Sequence, residues 1–246
     1  MNPSIKVIIP AFNEADNIAS LFEKFIDLKQ KLNLHLIVVD DGSQDDTIKV
    51  SETFASQIPI TLVKHQQNQG LGVTLKDGLI KANLICDPGD LVAIMDGDDT
   101  HDPAQLLSMQ ALIRTEGLDL IIASRFRPGA EIYGLRQWRK ILSYGAALIF
   151  IILRPISGVR DYTCGYRLMK ASSLRLLIDR FGDTLITESG FAATAQILLR
   201  CRALKISCGE IPLILHYDRK KGVSKMNITR TIRRTLSLCY TDIFQS

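Results

Sequence analysis

Two carboxylates one residue apart, Asp96 and Asp98, follow the short apolar run Leu91 to Met95, and a third, Asp99, comes directly after. The surrounding string, Val92 to Pro103, reads VAIMDGDDTHDP. Apolar residues ending in an acidic turn have the pattern of a buried strand that presents carboxylates at its carboxyl end, where open α/β sheets bind ligands. Side-chain oxygens at i and i+2 of a turn suit a hard divalent cation, Mg2+ or Mn2+, shared with substrate phosphates. The same residues also fit a solvated turn in which Asp98 or Asp99 caps the next helix.

Three further groups carry chemistry. Asp40-Asp41-Gly42-Ser43 ends a second apolar run; Asp40 or Asp41 can accept from ribose hydroxyls or a base N–H, because an ionised carboxylate only accepts. Asp161-Tyr-Thr-Cys-Gly-Tyr-Arg167 is a polar loop closing on an arginine. Arg219-Lys-Lys-Gly-Val-Ser-Lys225 groups cations, a hydroxyl and a glycine in seven residues, a composition that can clamp a phosphate.

The elements that must position these groups alternate. Strands are expected at Ile5–Ile9, stopping at Pro10, and at Leu34–Val39, Ile60–Val63, Leu91–Met95 and Leu118–Ala123. Between them fall helices: one capped by Asn13 with Ile18, Leu21, Phe22, Phe25 and Leu28 on one face, one starting near Asp45, one after Asn68-Gln-Gly-Leu-Gly72 through Lys81, and one from Pro103 to Glu116 closed by Gly117. A helix at 191–200 and a late edge strand or strand pair at 206–214, broken by Pro212, follow. Strand–helix alternation with continuous apolar strands predicts a mostly parallel sheet covered on both faces, so the polar strand ends share one edge. The glycines at 70 and 72 let the backbone approach a ligand or pack a helix closely. No GxGxxG follows the first strand, which argues against a nicotinamide or flavin site.

The 246 residues are enough for a sizeable core. Five scattered cysteines without a CxxC pair point to reduced thiols in a cytoplasmic compartment, not to a disulfide frame or zinc site. No secretory leader is expected, since the chain enters its first strand at once. The net charge of +4 conceals an asymmetry: residues 1–120 carry 9 Lys/Arg against 18 Asp/Glu, and residues 121–246 carry 21 against 8. An acidic half facing a basic half suits a site that holds metal on one side and phosphate or anionic lipid on the other. Ile141–Leu153 is 13 residues without a charge, flanked by Lys140 and Arg154. A spanning helix needs about 20 apolar residues, so this is a buried core helix or, as preferred here, one lying at a membrane interface with Trp138 and Tyr144 as anchors.

Val7-Ile-Ile-Pro-Ala-Phe-Asn-Glu14, Val38-Val-Asp-Asp-Gly-Ser43, Asn68-Gln-Gly-Leu-Gly72, Met95-Asp-Gly-Asp98 and the 161–167 loop occur in the order seen in family 2 glycosyltransferases. With Arg219-x-x-Gly-x-Ser-Lys225 the set resembles polyprenyl-phosphate sugar synthases of the dolichol-phosphate mannose synthase type, from Ile5 to about Asn227. The resemblance implies a glycosyltransferase-A type fold with an acceptor and interfacial region, a nucleotide-sugar donor (GDP-mannose or UDP-glucose), inverting transfer and a polyprenyl or dolichyl phosphate acceptor. It places Pro10, Phe12, Glu14, Asp40, Asp41, Gly70 and Asp96 at the donor. Asp96 and Asp98 become the Mg2+ or Mn2+ motif, and Asp98, Arg125 and Asp161 the catalytic set. Arg139, Ser143, Arg167, Arg219, Ser224 and Lys225 fall at the acceptor phosphate. Residues 1–227 are expected to form one catalytic domain, with a donor half at 1–125, an acceptor half at 126–227 and a basic tail at 228–246. The chain has Gln196 where relatives often have an acidic residue, and Thr100 where a third metal contact would fall. With no spanning tail expected, attachment to the cytoplasmic face of a membrane would rest on the interfacial helix, the basic tail or a small membrane partner subunit; nucleic acid is not an expected partner.

Rival readings are a family 2 enzyme with a non-lipid acceptor, a phosphatase using Asp96-Gly-Asp-Asp-Thr100 as a DxDxT nucleophile loop, a nucleotidyltransferase, and a non-catalytic nucleotide- or lipid-binding module. The phosphatase loop normally follows a first strand, whereas three strands precede this one.

Overall fold

The computed structural model describes residues 3–134, 149–190, 192–219, 221 and 237–238. Arg139, Ser143, Ser224 and Lys225, and the anchors Trp138 and Tyr144, lie outside the described residues. Five strands arise where the apolar runs predicted them: β1 Ser4–Ala11, β2 Asn33–Asp40, β3 Ile60–Lys64, β4 Leu91–Ile94 and β5 Leu120–Ser124. Consecutive residues such as Val7, Ile8 and Ile9 are fully buried, as strands covered on both faces require. Four helices alternate with them: α1 Ala15–Leu28, α2 Thr47–Thr53, α3 Leu71–Ile85 and α4 Gln105–Glu116. Ile18, Leu21, Phe22, Phe25 and Leu28 form the buried stripe of α1, and Gly117, at φ 68°, ends α4 in the left-handed conformation.

Later come β6 Glu131–Tyr133, a helical stretch at 149–153, β7 Arg167–Lys170, α5 Ala171–Phe181, α6 Ala192–Ala203, β8 Cys208–Pro212 and β9 Ile214–His216. The main sheet runs β3-β2-β1-β4-β7-β5-β8. All its neighbours are parallel except β7, which is antiparallel to both β4 and β5. β4 and β5 therefore point the same way, and the polar ends of β1 to β5 do share one edge. Pro212 is tolerated because β8 is the last strand of the sheet.

β1 does not stop at Pro10. The Ile8 carbonyl accepts the Met95 N–H on the β4 side, so Pro10, two residues on, faces that same side. Pairing with β4 has ended by then, at Ile8–Ile94, while pairing with β2 continues to Ala11–Asp40, and the missing proline N–H breaks no rung. A second, two-stranded sheet pairs β6 with β9. β9 is mounted on the acidic turn: His216 N donates to Thr100 O at 2.8 Å, His101 bridges to Leu215, and the Gln105 amide holds Pro212 O and Ile214 N.

Candidate active site

At the end of β1 the chain turns sharply through Asn13, whose φ of 52° is one that asparagine accepts more readily than most residues. Asn13 does not cap α1, as the sequence predicted. Its Oδ1 accepts Gln44 N at 2.8 Å, its own N–H donates to Ser43 Oγ, and α1 receives the Asp45 carboxylate at Ala15 N, 3.0 Å. Asp45 also caps its own helix, its Oδ1 accepting Thr47 N at 3.0 Å, so one carboxylate serves α1 and α2 and stitches the β1 and β2 ends into one surface. Pro10 and Phe12 are half-buried there; Glu14 is buried, its N–H donating to Thr47 Oγ1 and its Oε2 accepting from Asn17.

The neighbouring carboxylates at the end of β2 divide their work. Asp41 Oδ1 accepts Gln69 N and His65 Nδ1, both at 2.8 Å, and Oδ2 accepts Gly70 N at 2.9 Å. That carboxylate is buried and committed to the glycine loop. Asp40 Oδ2 accepts Ser43 N, but its Oδ1 is buried with no partner among the described residues. A buried carboxylate oxygen without a donor is costly, and a ligand hydroxyl or N–H would relieve it.

What approaches the glycine pair is the protein itself. Gly70 has φ 89°, and a Cβ on Gly72 would lie 1.7 Å from Glu188 O and one on Gly70 2.7 Å from Ser189 O. Gln196 shapes that strap: its Oε1 accepts Thr187 N and Glu188 N, and its Nε2 donates to Thr187 Oγ1.

In the acidic turn, Asp98 is buried and its Oδ1 accepts both the N–H and the hydroxyl of Thr100, which spends that hydroxyl on the carboxylate. Asp96 is half-buried; its N–H faces His101 Nδ1 at 3.4 Å, and the His101 ring stacks on Tyr166 at 5.0 Å. Asp99, at φ 59°, turns away to Ser20 and Lys24 of α1. Neither Asp98 nor Asp99 caps α4; Asp102 does that work, accepting Ala104 N at 3.0 Å. Among the described residues no three His, Cys, Asp or Glu side chains converge to hold a metal by themselves. The hard oxygens of Asp96 and Asp98 fit a divalent cation that draws its remaining oxygens from a substrate, and Gly165, whose Cβ would sit 3.4 Å from Asp96 Oδ1, puts no side chain beside them.

Across the edge, Arg125 at the end of β5 forks onto Asp161, Nε to Oδ2 at 2.8 Å and Nη2 to Oδ1 at 2.6 Å. Asp161 also accepts the N–H groups of Arg125, Thr163 and Cys164. Burial alone would raise its pKa, but the Arg125 charge and these donors hold it below the usual carboxylate range. Burial likewise opposes the Arg125 charge, yet Asp161, with a smaller contribution from Asp96, raises its pKa. Asp161 is thus a fixed anion that orients Arg125. Glu210 supports it from β8, its Oε1 accepting Arg160 N and Asp161 N at 2.7 Å.

Arg167, expected at an acceptor phosphate, lies in the interior at 1% exposure. Its guanidinium donates to the carbonyls of Cys164, Thr194 and Tyr162. As the first residue of β7 it is sealed between β4 and β5 and holds the 161–167 loop from beneath. Arg219 is exposed in the turn after β9.

A family model, Glycosyl transferase family 2, matches residues 6–177. The chain belongs to that family. It is 27% identical over 90% of its length to a dolichol-phosphate mannosyltransferase of Pyrococcus furiosus, and 28% identical over 85% to a dolichyl-phosphate beta-glucosyltransferase of Dictyostelium discoideum. It spans 59% and 65% of those two proteins. An undecaprenyl-phosphate mannosyltransferase of Micrococcus luteus is 30% identical, with 91% of this chain and 87% of that protein covered. Among solved structures, glucosyl-3-phosphoglycerate synthase from Mycobacterium tuberculosis, in complex with Mn2+, UDP and glucosyl-3-phosphoglycerate, superposes with a TM-score of 0.70 at 20% identity, covering 98% of this chain and 80% of that one. This likeness shows the fold: a mostly parallel sheet of the glycosyltransferase-A type.

Within this family 2 glycosyltransferase, Asn17, His101 and Glu210 belong to the site's supports although the motifs did not single them out. Only Asn17 leaves a trace in the sequence: it lies three residues after Glu14, one helical turn along.

Proposed function

We propose that the protein transfers a hexose, mannose or glucose, from GDP-mannose or UDP-glucose to a polyprenyl phosphate, with inversion, at a membrane surface. The observation that carries this reading is the meeting, on one sheet edge, of the acidic turn with the loop that Arg125 grips: Arg125 binds Asp161 and Thr163, and Gly165 of the same loop lies against Asp96, its Cβ position 3.4 Å from Oδ1. A diphosphate leaving group and a phosphate acceptor need opposite kinds of support, and this edge offers both. The sugar acceptors printed in the relatives' names support the lipid phosphate, and the Mn2+ or Mg2+ in structures of the fold supports a divalent ion.

In this reading Asp40 Oδ1 accepts from a ribose hydroxyl or base N–H, while Pro10, Phe12 and Glu14 line the nucleotide. Asp96 and Asp98 hold the ion, which when bound neutralises charge developing on the leaving diphosphate. Arg125, locked by Asp161, presents a cation that needs no reorganisation as that charge forms. A lipid phosphate is already largely ionised near neutral pH, so a strong base is unnecessary and positioning dominates. Asp161, buried and held anionic, is a positioning residue here and not that base. Arg139, Ser143, Ser224 and Lys225 remain the proposed acceptor contacts and Arg219 a proposed phosphate contact, within one catalytic unit over residues 1–227.

For the membrane surface the support is Ile151, Ile152 and Leu153, consecutive exposed apolar residues beside Arg154. No helix among the described residues is long and apolar enough to cross a membrane. A peripheral position on the cytoplasmic face follows from this reading.

The test supplies labelled GDP-mannose or UDP-glucose with Mn2+, and either polyprenyl phosphate in detergent or 3-phosphoglycerate. Metal-dependent label in the organic phase, lost in Asp98→Ala, is the expected result. Label in a water-soluble phosphate ester would replace the lipid acceptor, and no turnover of either donor would overturn the transferase reading.

A further inference from the structure

The chain is tied down at two points as it leaves β9 for its basic segment, and the second is Asn17. Asn17 is 3% exposed on the first turn of α1. Its Oδ1 accepts the Lys221 N–H at 3.0 Å, and its Nδ2 donates to the Lys221 carbonyl at 3.2 Å and to Glu14 Oε2 at 2.7 Å. The amide orientation is forced: a carboxylate only accepts and a backbone N–H only donates, so Nδ2 must face Glu14 and Oδ1 must face Lys221 N. The side chain thus copies a rung of β-sheet across 204 residues of sequence.

The first anchor is His216 N on Thr100 O, in the acidic turn. Five residues further on comes the Asn17 anchor, beside Glu14 at the β1 end. The span between them, with Arg219 in it, therefore runs from the acidic turn to the start of α1. The side chains of Arg219 and Lys221 are exposed. Backbone contacts hold the segment and leave its cations available.

We propose that Asn17 is a positioning residue that latches the Lys221 backbone, holding Arg219–Lys221 across the donor edge so that its cations meet the substrate diphosphate. What the cations meet rests on the nucleotide-sugar reading; the latch itself does not.

Trypsin cleaves after lysine and arginine, so nicking at Arg219, Lys220 and Lys221 reports the latch directly. Asn17→Asp keeps the shape, removes the Nδ2 donor and sets a second carboxylate against Glu14. It is expected to speed nicking at these three sites roughly tenfold, the scale of the one lost hydrogen bond to Lys221, at a temperature where the rest of the chain stays uncut, with thermal unfolding lowered because two buried carboxylates then face each other. The donor KM should rise by a similar factor with kcat little changed. A second pair leaves the buried amide untouched: Lys221→Pro removes the N–H, whereas Lys221→Ala keeps both backbone groups and loses only the charge. Proline should raise the donor KM well beyond alanine.

Wild-type nicking and KM in Asn17→Asp would overturn the latch, as would equal KM values for the proline and alanine variants. Should Asn17→Asp fail to fold, the Lys221 pair decides. Faster nicking of Asn17→Asp in a protein that transfers no sugar would uphold the latch and sink the transferase reading instead.

Discussion

The turns after β2 and β4 flank the same strand, each presents neighbouring carboxylates, and they use them in the same order. After β2 the first carboxylate, Asp40, keeps a buried oxygen without a partner among the described residues, and the second, Asp41, is consumed by Gln69, Gly70 and His65. After β4, Asp96 and Asp98 stand at the candidate metal position, and it is the last, Asp99, that turns away to Ser20 and Lys24. In both, one carboxylate fastens a neighbouring element and another stands at a candidate ligand position. Acidic clusters at a strand end therefore cannot be read as a single ligand set; which oxygen is already spent decides the role of each residue.

Substitutions can break this division, and the largest effect is expected at the β4 turn. Asp98→Ala should reduce sugar transfer at least a thousandfold, on the order of 4 kcal/mol in the barrier, with the folded state retained by circular dichroism. Retention of metal-dependent transfer would show that Asp98 is another fastening residue.

Asp161→Asn comes next. It leaves Arg125 with a neutral partner in a nearly dry site, where breaking a buried pair costs about 3 kcal/mol or more. Because the folded pKa of Asp161 lies below its ordinary value of 3.8, its stabilisation is complete above that pH and is lost as pH falls through the depressed value. The difference in unfolding free energy between the two proteins should be flat from neutrality to about pH 4 and shrink below it. A difference that shrank between pH 7 and 5 would refute the assignment.

The β2 turn sets up a contrast between neighbours. Asp41→Asn puts an amide donor among N–H donors and should destabilise the protein by about 1–3 kcal/mol in urea unfolding. Asp40→Asn should leave stability within about 1 kcal/mol and raise the donor KM. The reverse pattern would invert the roles assigned here. Smallest is Asp99→Asn: its Lys24 partner is partly solvated, so about 0.5 kcal/mol of stability is expected, with transfer unaffected.

Much of this was legible in the sequence because the signals were local. Apolar runs ending in Asp40, Asp96 or Ser124 had to be strands pointing the same way, and glycines at 70 and 72 had to admit a close neighbour. What stayed hidden depends on contacts far along the chain. Nothing local shows that Asp45 reaches Ala15 N, 30 residues away, while Asn13 is spent on Gln44, or that Asp41 rather than Asp40 is consumed by the glycine loop. Arg167 misleads for the same reason. It ends a polar loop that resembles an anion site, while the four-residue strand it opens, RLMK, is too short to announce itself. Only the carbonyls of Cys164, Thr194 and Tyr162, brought together by the fold, make burial of a guanidinium tolerable there.

The antiparallel strand β7 also fixes the order in which the molecule can assemble. β4 and β5 are not partners of one another; each pairs with β7, which lies beyond residue 166. A nascent chain that has released only its acidic half carries two apolar strands with exposed, unpaired edges. Division at residue 125 should therefore give an aggregating fragment and not a small nucleotide-binding domain. Chaperone dependence during synthesis should persist until about residue 170 has left the ribosome.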